Sequence, residues 1–462
     1  MTQKNRKTAD MGEENITRLL IRFSLPATLA MAVMASYNIV DTYFVGRLGG
    51  EAIAALSVSF PVQMLLGALG IGTGVGAGSL ISRSLGAKKP EVAAMAAGQV
   101  MLLALVFGLG AFLLGRFYLR ELLLFFGATP EILPYTMEYM SIIAQGAVML
   151  FMIMMLNHIV RAEGNALLPM WVMISSSLIN IALDPIFIFV LGLGIRGAAI
   201  ATVLAKIIGV AALLWYYISG RSSLDIKLRH LIPNGRIILD IYRVGLPALL
   251  MQISANISII LANRILGGFG YIPIAVMGLM VRFQMFAFMP VIGIAQGLLP
   301  IIGYNFGAKK YPRIREAMFK GAGAGTLLMT LAGALLFLFP AFFLGFFSTD
   351  AELLDMGVYA VRIMVLMYPL LGAQITSVIF FQAIGRGTKS LLLSLLRQFL
   401  LYIPFIMLLP RFLGLTGIWI ATPLADLLAF AVTTALVARE YSTLGIPFIK
   451  IKGAKPSPLE EN

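Results

Sequence analysis

GAKK, residues 86–89, returns letter for letter at residues 307–310, 221 positions further along the chain. The same offset lays much of one half over the other. Leu25-Pro26 falls on Leu246-Pro247, Gly46 and Gly49 on Gly267 and Gly270, and Ile53-Ala54 on Ile274-Ala275. Gln63 meets Gln284, Phe125-Phe126 meets Phe346-Phe347, and Ala162 and Gly164 meet Ala383 and Gly385. With one residue lost, Ala201-Thr202 meets Ala421-Thr422. A shared tetrapeptide and a constant offset over most of a half mark a duplicated chain, each copy being one structural unit.

The solvent for which these copies are written follows from composition. Of 462 residues, 60% are hydrophobic and 12% charged, against about 45–50% and about 25% in soluble domains. Apolar runs long enough to cross a bilayer recur throughout. Backbone groups in hydrocarbon must bond within their own segment, so the spans are read as helices. Twelve are expected, near 19–45, 52–81, 92–115, 133–157, 166–191, 197–219, 240–266, 273–302, 314–344, 353–382, 388–410 and 415–438. The expected fold is an all-α polytopic membrane protein with two six-helix lobes. Six spans per copy give both copies the same orientation, so they are parallel repeats about an axis along the membrane normal, an arrangement of transporters. A duplicated channel or scaffold is the bland alternative. The division expected is an N-lobe at 1–219, a polar cytoplasmic linker at 220–239, a C-lobe at 240–438 and a cytoplasmic tail at 439–462.

The net charge of +14 is read as topology rather than as a nucleic-acid surface. Basic residues gather in alternate connections: the N-terminal tail (Lys4, Arg6, Lys7, Arg18, Arg22), Arg83/Lys88/Lys89, residues 220–243, Lys309/Lys310/Arg313/Arg315, and Lys450, Lys452 and Lys455. The positive-inside rule then puts both termini in the cytoplasm of a cell (inner or plasma) membrane protein. The polar, basic first 22 residues do not resemble a cleavable secretory signal. The absence of cysteine and the presence of only two histidines, His158 and His230, argue against disulfides, thiolate metal sites and His-rich metal sites.

A duplicated chain is its own control: residues polar in one copy alone are candidates for chemistry. Asp41 corresponds to Ala262, Asp184 within a residue to Pro404, Asn180 to a leucine near 400, and Asn157 to Val378. Tyr37, Asn38 and Asp41 share one face of the first span; Asn180 and Asp184 share one face of the fifth; Thr202 lies inside the sixth. Acids inside spans usually face the bundle interior and mark an ion or proton path; interhelical hydrogen bonding is the structural alternative. Low dielectric disfavours charge on both carboxylates, so a close pair can hold and release a proton, or coordinate a hard cation such as Na⁺.

The stretches SLPATLAMAVMASYNIVDTYFVGRLG, the GAKK turns, RAEGN at 161–165, NIALDPIFIF at 180–189 and GIRGAAIAT at 194–202 resemble those of the multidrug and toxic compound extrusion (MATE) family, in its prokaryotic branch related to the DNA-damage-inducible protein F. The resemblance covers essentially the whole chain. It implies that Asp41, Asn180, Asp184 and Thr202 form an N-lobe cation site with Tyr37 and Asn157 nearby. It also implies export of lipophilic, often cationic compounds in exchange for H⁺ or Na⁺, and a first helix that bends at Pro26. Pro247 holds the matching place in the second copy, so shared architecture is the alternative reading of Pro26.

Other features are weighed beside that reading. GALGIGTGVGAG at 67–78 lacks the GK[ST] ending and preceding strand of a phosphate loop and reads as helix packing; no nucleotide motif is found. Methionine- and phenylalanine-rich runs such as RFQMFAFMP at 282–290 suit either a polyspecific chamber or lipid-facing and core positions. Lys206, one turn after Thr202, is a possible counter-charge to Asp41 or Asp184, or snorkels to an interface. Arg264, Arg282, Arg362 and Arg397 fall in or near second-half spans, with Asp426 available to neutralise one. If they line the central path, they favour anionic cargo, the mark of a rival lipid-linked precursor flippase. A passive ion channel is a further alternative. No nucleophile–base pair or metal-ligand set is found, so the chain is expected not to be an enzyme. It is expected to need no cofactor beyond the coupling ion, to work as a monomer among membrane lipids, and to take small amphipathic substrates.

Overall fold

The computed structural model describes residues 3–445, apart from the side chains of residues 3–7 and 255–256. The basic tail positions Lys450, Lys452 and Lys455 therefore lie outside the described residues. The first half comprises α1 (Gln3–Glu13), α2 (Ile16–Gly46), α3 (Gly50–Gly86), α4 (Pro90–Phe117), α5 (Leu119–Phe125), α6 (Leu133–Gln145), α7 (Ala147–Ala162), α8 (Leu167–Pro185) and α9 (Ile195–Ile218). The second comprises α10 (Gly235–Leu266), α11 (Tyr271–Gly307), α12 (Tyr311–Leu338), α13 (Pro340–Gly345), α14 (Ala351–Met364), α15 (Tyr368–Ala383), α16 (Gly387–Leu395), α17 (Ile403–Leu408), α18 (Pro410–Leu413) and α19 (Leu415–Thr443). No strand occurs among the described residues.

Ten helical segments are long and apolar enough to cross a membrane, and two bent pairs complete twelve. The pairs are α6 with α7, bent by 55°, and α14 with α15, bent by 53°. They occupy matching places in the two copies, where the sequence suggested unbroken spans at 133–157 and 353–382. Gly146, a poor helix former, stands at the first break. Pro369 opens α15 at the second and cannot continue the hydrogen bonding of α14. The ninth span stops at Leu338 rather than 344 because Pro340 begins a separate short helix, α13. α8 continues from Pro185 into a π-helical turn, Ile186–Val190, and α16 into another, Leu396–Tyr402. Such turns are rare and are often found at functional sites.

The duplication explains how the halves meet. A Cβ on Gly86 would collide with the carbonyl oxygen of Tyr304, and one on Gly307 with that of Arg83. Arg83 and Tyr304 are themselves partners under the 221-residue offset, so each copy presses the same glycine against the same backbone position of the other. Gly76 presses on the α10 backbone at Ile241 and Gly245, and its counterpart Gly297 on α2 at Ser24, there meeting the side chain first. The glycine run at 67–78 is thus a close helix crossing. Lys88 and Lys309 both adopt left-handed backbone, with φ of 58° and 57°. Each turn is closed by the next lysine, Lys89 N–H to Ser84 O and Lys310 N–H to Asn305 O, both 2.8 Å.

α1, unforeseen within the polar leader, ties the lobes together at this end. Thr8 Oγ1 donates to Glu163 O in the N-lobe at 2.9 Å. From the C-lobe, Asn305 donates to Met11 O and Lys310 to Gly12 O, each at 2.9 Å. The joint between halves is also held: Gln99 donates to His230 O and Ile232 O, and Glu163 accepts from Ser222, Ser223 and Tyr217. The Asn234 side chain caps α10.

Candidate functional site

Two helices and a third meeting them bring four of the singled-out residues together. Asn180 and Asp184 lie one turn apart on α8, and Asn180 Nδ2 donates to Asp184 Oδ1 at 3.2 Å and to Thr202 Oγ1 of α9 at 3.4 Å. Asp184 is completely buried and Asn180 nearly so. α2 packs against α8 and brings Asp41 within electrostatic reach of Asp184. Asp41 Oδ1, Asn180 Oδ1 and Asp184 Oδ2 are buried acceptors with no hydrogen-bond partner among the described residues. Buried acceptors are ordinarily paired; three together on neighbouring helices form an oxygen-rich site suited to a proton or a small hard cation.

The surrounding residues divide. Lys206 Nζ sits over the ring of Tyr37, 5.7 Å from its centroid. Among the described residues it makes no salt bridge with Asp41 or Asp184, so its charge lies against an aromatic face one turn from Asp41. Asn157 donates to Ile153 O of its own helix at 2.7 Å, its only hydrogen bond among the described residues. Pro26 is buried inside α2, which runs as one helix from Ile16 to Gly46. Two further residues belong to the neighbourhood. Tyr139 of α6 is buried on a helix packed against α3, which carries Gln63, and α9, and lies within electrostatic reach of Asp41 and Asp184. Gln63 had signalled only the repeat, and Tyr139 carried no signal that distinguishes it from other aromatic residues in apolar runs.

Among its described residues the C-lobe holds no copy of this arrangement. Arg264, Arg282 and Arg362 are exposed, whereas Arg397, in the π-helical turn, donates Nε to Asp426 Oδ1 of α19 at 2.6 Å. The pair borders an open-sided cavity of about 500 Å³ lined by C-lobe helices, with Met251, Met277, Met280, Met285 and Phe288 in its wall. Part of the methionine-rich run therefore faces a chamber. Thr202 and Thr422 are equivalent, and one turn after each stands a charge of opposite sign: Lys206 in the N-lobe, Asp426 in the C-lobe.

The MatE family model matches residues 26–186 and, a second time, residues 247–408, well over half the chain in two copies. The chain belongs to the MatE (MATE) family of multidrug efflux transporters. This MATE chain is 26% identical over 407 residues to the multidrug export protein MepA of Staphylococcus saprophyticus, covering 88% of this chain and 90% of that one. It is 27% identical over 406 residues to MepA of Staphylococcus aureus, with 87% and 89% covered. Among solved structures, it matches a MATE family transporter of the MOP superfamily in an outward-facing conformation with a TM-score of 0.88 and 29% identity, covering 96% of this chain and 99% of that chain. A MATE in the bent conformation matches with a TM-score of 0.90 and 29% identity, with 95% and 98% covered. A MOP superfamily transporter from Pyrococcus furiosus, described as having a binding pocket of reverse polarity, matches with a TM-score of 0.89 and 28% identity, with 96% and 99% covered. The fold is that of a MATE transporter, twelve membrane helices in two lobes.

Proposed function

We propose that this MATE transporter is a secondary antiporter that exports lipophilic, cationic compounds in exchange for H⁺, with Na⁺ as the alternative ion, by alternating access. The observation that carries the reading is the trio of unpartnered buried acceptors, Asp41 Oδ1, Asn180 Oδ1 and Asp184 Oδ2. In a low-dielectric interior these oxygens are costly without a donor or cation. An ion that satisfies them draws α2 and α8 together, and releasing it lets them part. A ligand shifts such an equilibrium only through unequal affinity for the two states, so cargo and ion compete through the shape of the N-lobe. Pro26 supplies the hinge in this scheme: it lacks the N–H that would tie it into α2, and a relative is known in a bent conformation. The ammonium of Lys206 beside Tyr37 works against a second cation and favours H⁺.

The positive-inside rule supports a cell-membrane protein with both termini cytoplasmic, the lobes then being joined at their cytoplasmic ends through the GAKK turns. Small amphipathic substrates and membrane lipids are its partners, and one chain contains both lobes of the pathway. Against the flippase reading, Arg397, which lines the C-lobe chamber, is already paired with Asp426, which leaves less free positive charge for an anionic cargo.

The test is reconstitution into proteoliposomes with a fluorescent cationic dye, imposing a pH gradient and a sodium gradient separately. Dye movement driven by the pH gradient and abolished by Asp41→Asn is the expected result. Undiminished ion-driven movement in the correctly folded variant, or dye flux without counter-transport, overturns the antiport reading.

A further inference from the structure

A second, much smaller cavity lies where the two copies meet. Val75 and His158 of the N-lobe line it together with Gln296 and Ile379, their own partners under the 221-residue offset. Helices α3, α7, α11 and α15 converge there, so both lobes build it. Arg161, one turn after His158 on α7, completes the wall, and its counterpart is the uncharged Gln382. His158 against Ile379 and Gln296 against Val75 are again positions polar in one copy alone. Arg161 is 6% exposed. Its Nη1 donates to Gln296 Oε1, a hydrogen bond that crosses from lobe to lobe. That acceptor is neutral, and among the described residues no carboxylate is in salt-bridge contact with the guanidinium. Nε is buried without a partner; Nη2 and the His158 ring nitrogens also lack partners among the described residues but keep accessible surface. A guanidinium stays protonated, and a buried charge ordinarily has a counter-charge.

We propose that this cavity binds one small inorganic anion, a halide such as chloride, between Arg161 Nη2 and the His158 ring, and that the anion helps tie the lobes together. Charge selects an anion over water, because a single negative charge compensates the guanidinium inside a low-dielectric junction. The imidazole contributes at least one N–H in any protonation state. Size selects a monatomic ion: the cavity measures about 30 Å³, room for one or two groups the size of water. That space excludes the carboxylate or phosphate end of a bulky compound. The rest of the wall, including Val75, Leu299 and Ile379, is apolar and suits a weakly hydrated halide. Parting the lobes carries Gln296 and Ile379 away from Arg161 and opens the cavity to water. The anion therefore has unequal affinity for the two states and favours the joined one. That this bias acts on export rests on the antiport reading above; that the anion binds does not.

Equilibrium binding of radiolabelled chloride to the full-length protein in lipid nanodiscs, in gluconate buffer with no ion gradient, tests the site. Saturable binding displaced by bromide and not by gluconate is expected of the native protein. Arg161→Gln is expected to weaken it about a hundredfold and His158→Phe about tenfold. Val75→Leu keeps both donors but fills the cavity, and is also expected to weaken binding about tenfold. Chloride is expected to slow maleimide labelling of Ser79→Cys, at the neighbouring lobe contact, unless Arg161→Gln is also present. Crystals of the native protein grown with bromide are expected to show an anomalous peak beside Arg161 Nη2. Absence of that peak at saturating bromide overturns the site even where a variant fails to fold. Absence of saturable binding by the native protein overturns it too, as does binding unweakened by both Arg161→Gln and Val75→Leu. Labelling of Ser79→Cys that ignores bound chloride overturns the tie between the lobes. Loss of ion-driven export with chloride binding intact removes only the antiport reading.

Discussion

The two lobes descend from one sequence and solve opposite problems with it. In the N-lobe, Asp41 and Asp184 have no basic partner in salt-bridge contact among the described residues, and Lys206 is held against Tyr37 instead. In the C-lobe, the acid stands at the position equivalent to Lys206 and is joined directly to Arg397. Both lobes keep unpartnered buried oxygens, but those of the C-lobe include the free oxygen of an acid already paired with an arginine beside a chamber. The contrast teaches that the scaffold is set by what the copies share, such as the glycines that let the helices cross, while charge placement is free to diverge within it.

The largest effect that can break this contrast is functional. Asp41→Asn and Asp184→Asn are expected to reduce ion-driven dye export to the background of empty liposomes while the protein still elutes as a single folded species. Arg397→Gln is expected to leave the ion dependence of residual transport unchanged. Equal loss of ion coupling from both lobes would remove the division of labour.

Stability should show the reverse ranking. Arg397→Ala leaves Asp426 buried and uncompensated, a loss of about 3–5 kcal/mol when one member of a buried pair is removed. Replacing both members by neutral side chains is expected to recover most of it. Thermal unfolding of the single and double variants measures the difference; a single variant as stable as the native protein would mean that the pair is not buried as described.

The shared architecture predicts symmetry. Gly86→Ala and Gly307→Ala each drive a methyl into the opposite copy's backbone and are expected to destabilise the closed end by similar amounts, about 1–3 kcal/mol. The native chain contains no cysteine, so a single Ser79→Cys can report opening by its labelling rate with a maleimide. Ser79 lies at the lobe contact, where its hydroxyl donates to Gln382 O. Unequal effects of the two glycine changes would show that the closure is not two-fold.

The smallest expected effect concerns Glu163, just beyond the end of α7 and outside the spans. Burial raises its carboxyl above the ordinary range, against the opposing hydrogen bonds from Ser222, Tyr217 and Ser223. The folded state then holds this proton at pH values where the unfolded chain has released it. Stability should therefore fall as pH rises from the ordinary carboxyl range through the raised one, and be insensitive to this group below both. Glu163→Gln is expected to flatten that part of the profile in thermal unfolding measured against pH.

Much of this was legible residue by residue. Gly86 and Gly307 announced the repeat, and the apolar runs announced the spans, because hydrocarbon leaves a chain few ways to satisfy its backbone. Asp41, Asn180, Asp184 and Thr202 stood out because their counterparts were mostly apolar, Thr202 alone having an identical partner, and the folded chain brings the four together. Tyr139 was invisible because an aromatic residue in an apolar run carries no mark of what it faces. The bends at Gly146 and before Pro369 were hidden by hydropathy, which averages over a break that leaves composition unchanged. α1 was hidden because a short polar helix acquires its order from the two lobes it joins.

Sequence alone determined the duplication, the membrane as solvent and the positions where the copies differ, since these are properties of residue order and transfer free energy. Only the tertiary structure decided which charges meet: that Lys206 lies on Tyr37, that Asp426 rather than another acid takes Arg397, and that a chamber opens beside that pair. Those outcomes depend on how helices far apart in the chain are rotated and bent against each other, and a one-dimensional pattern does not specify that geometry.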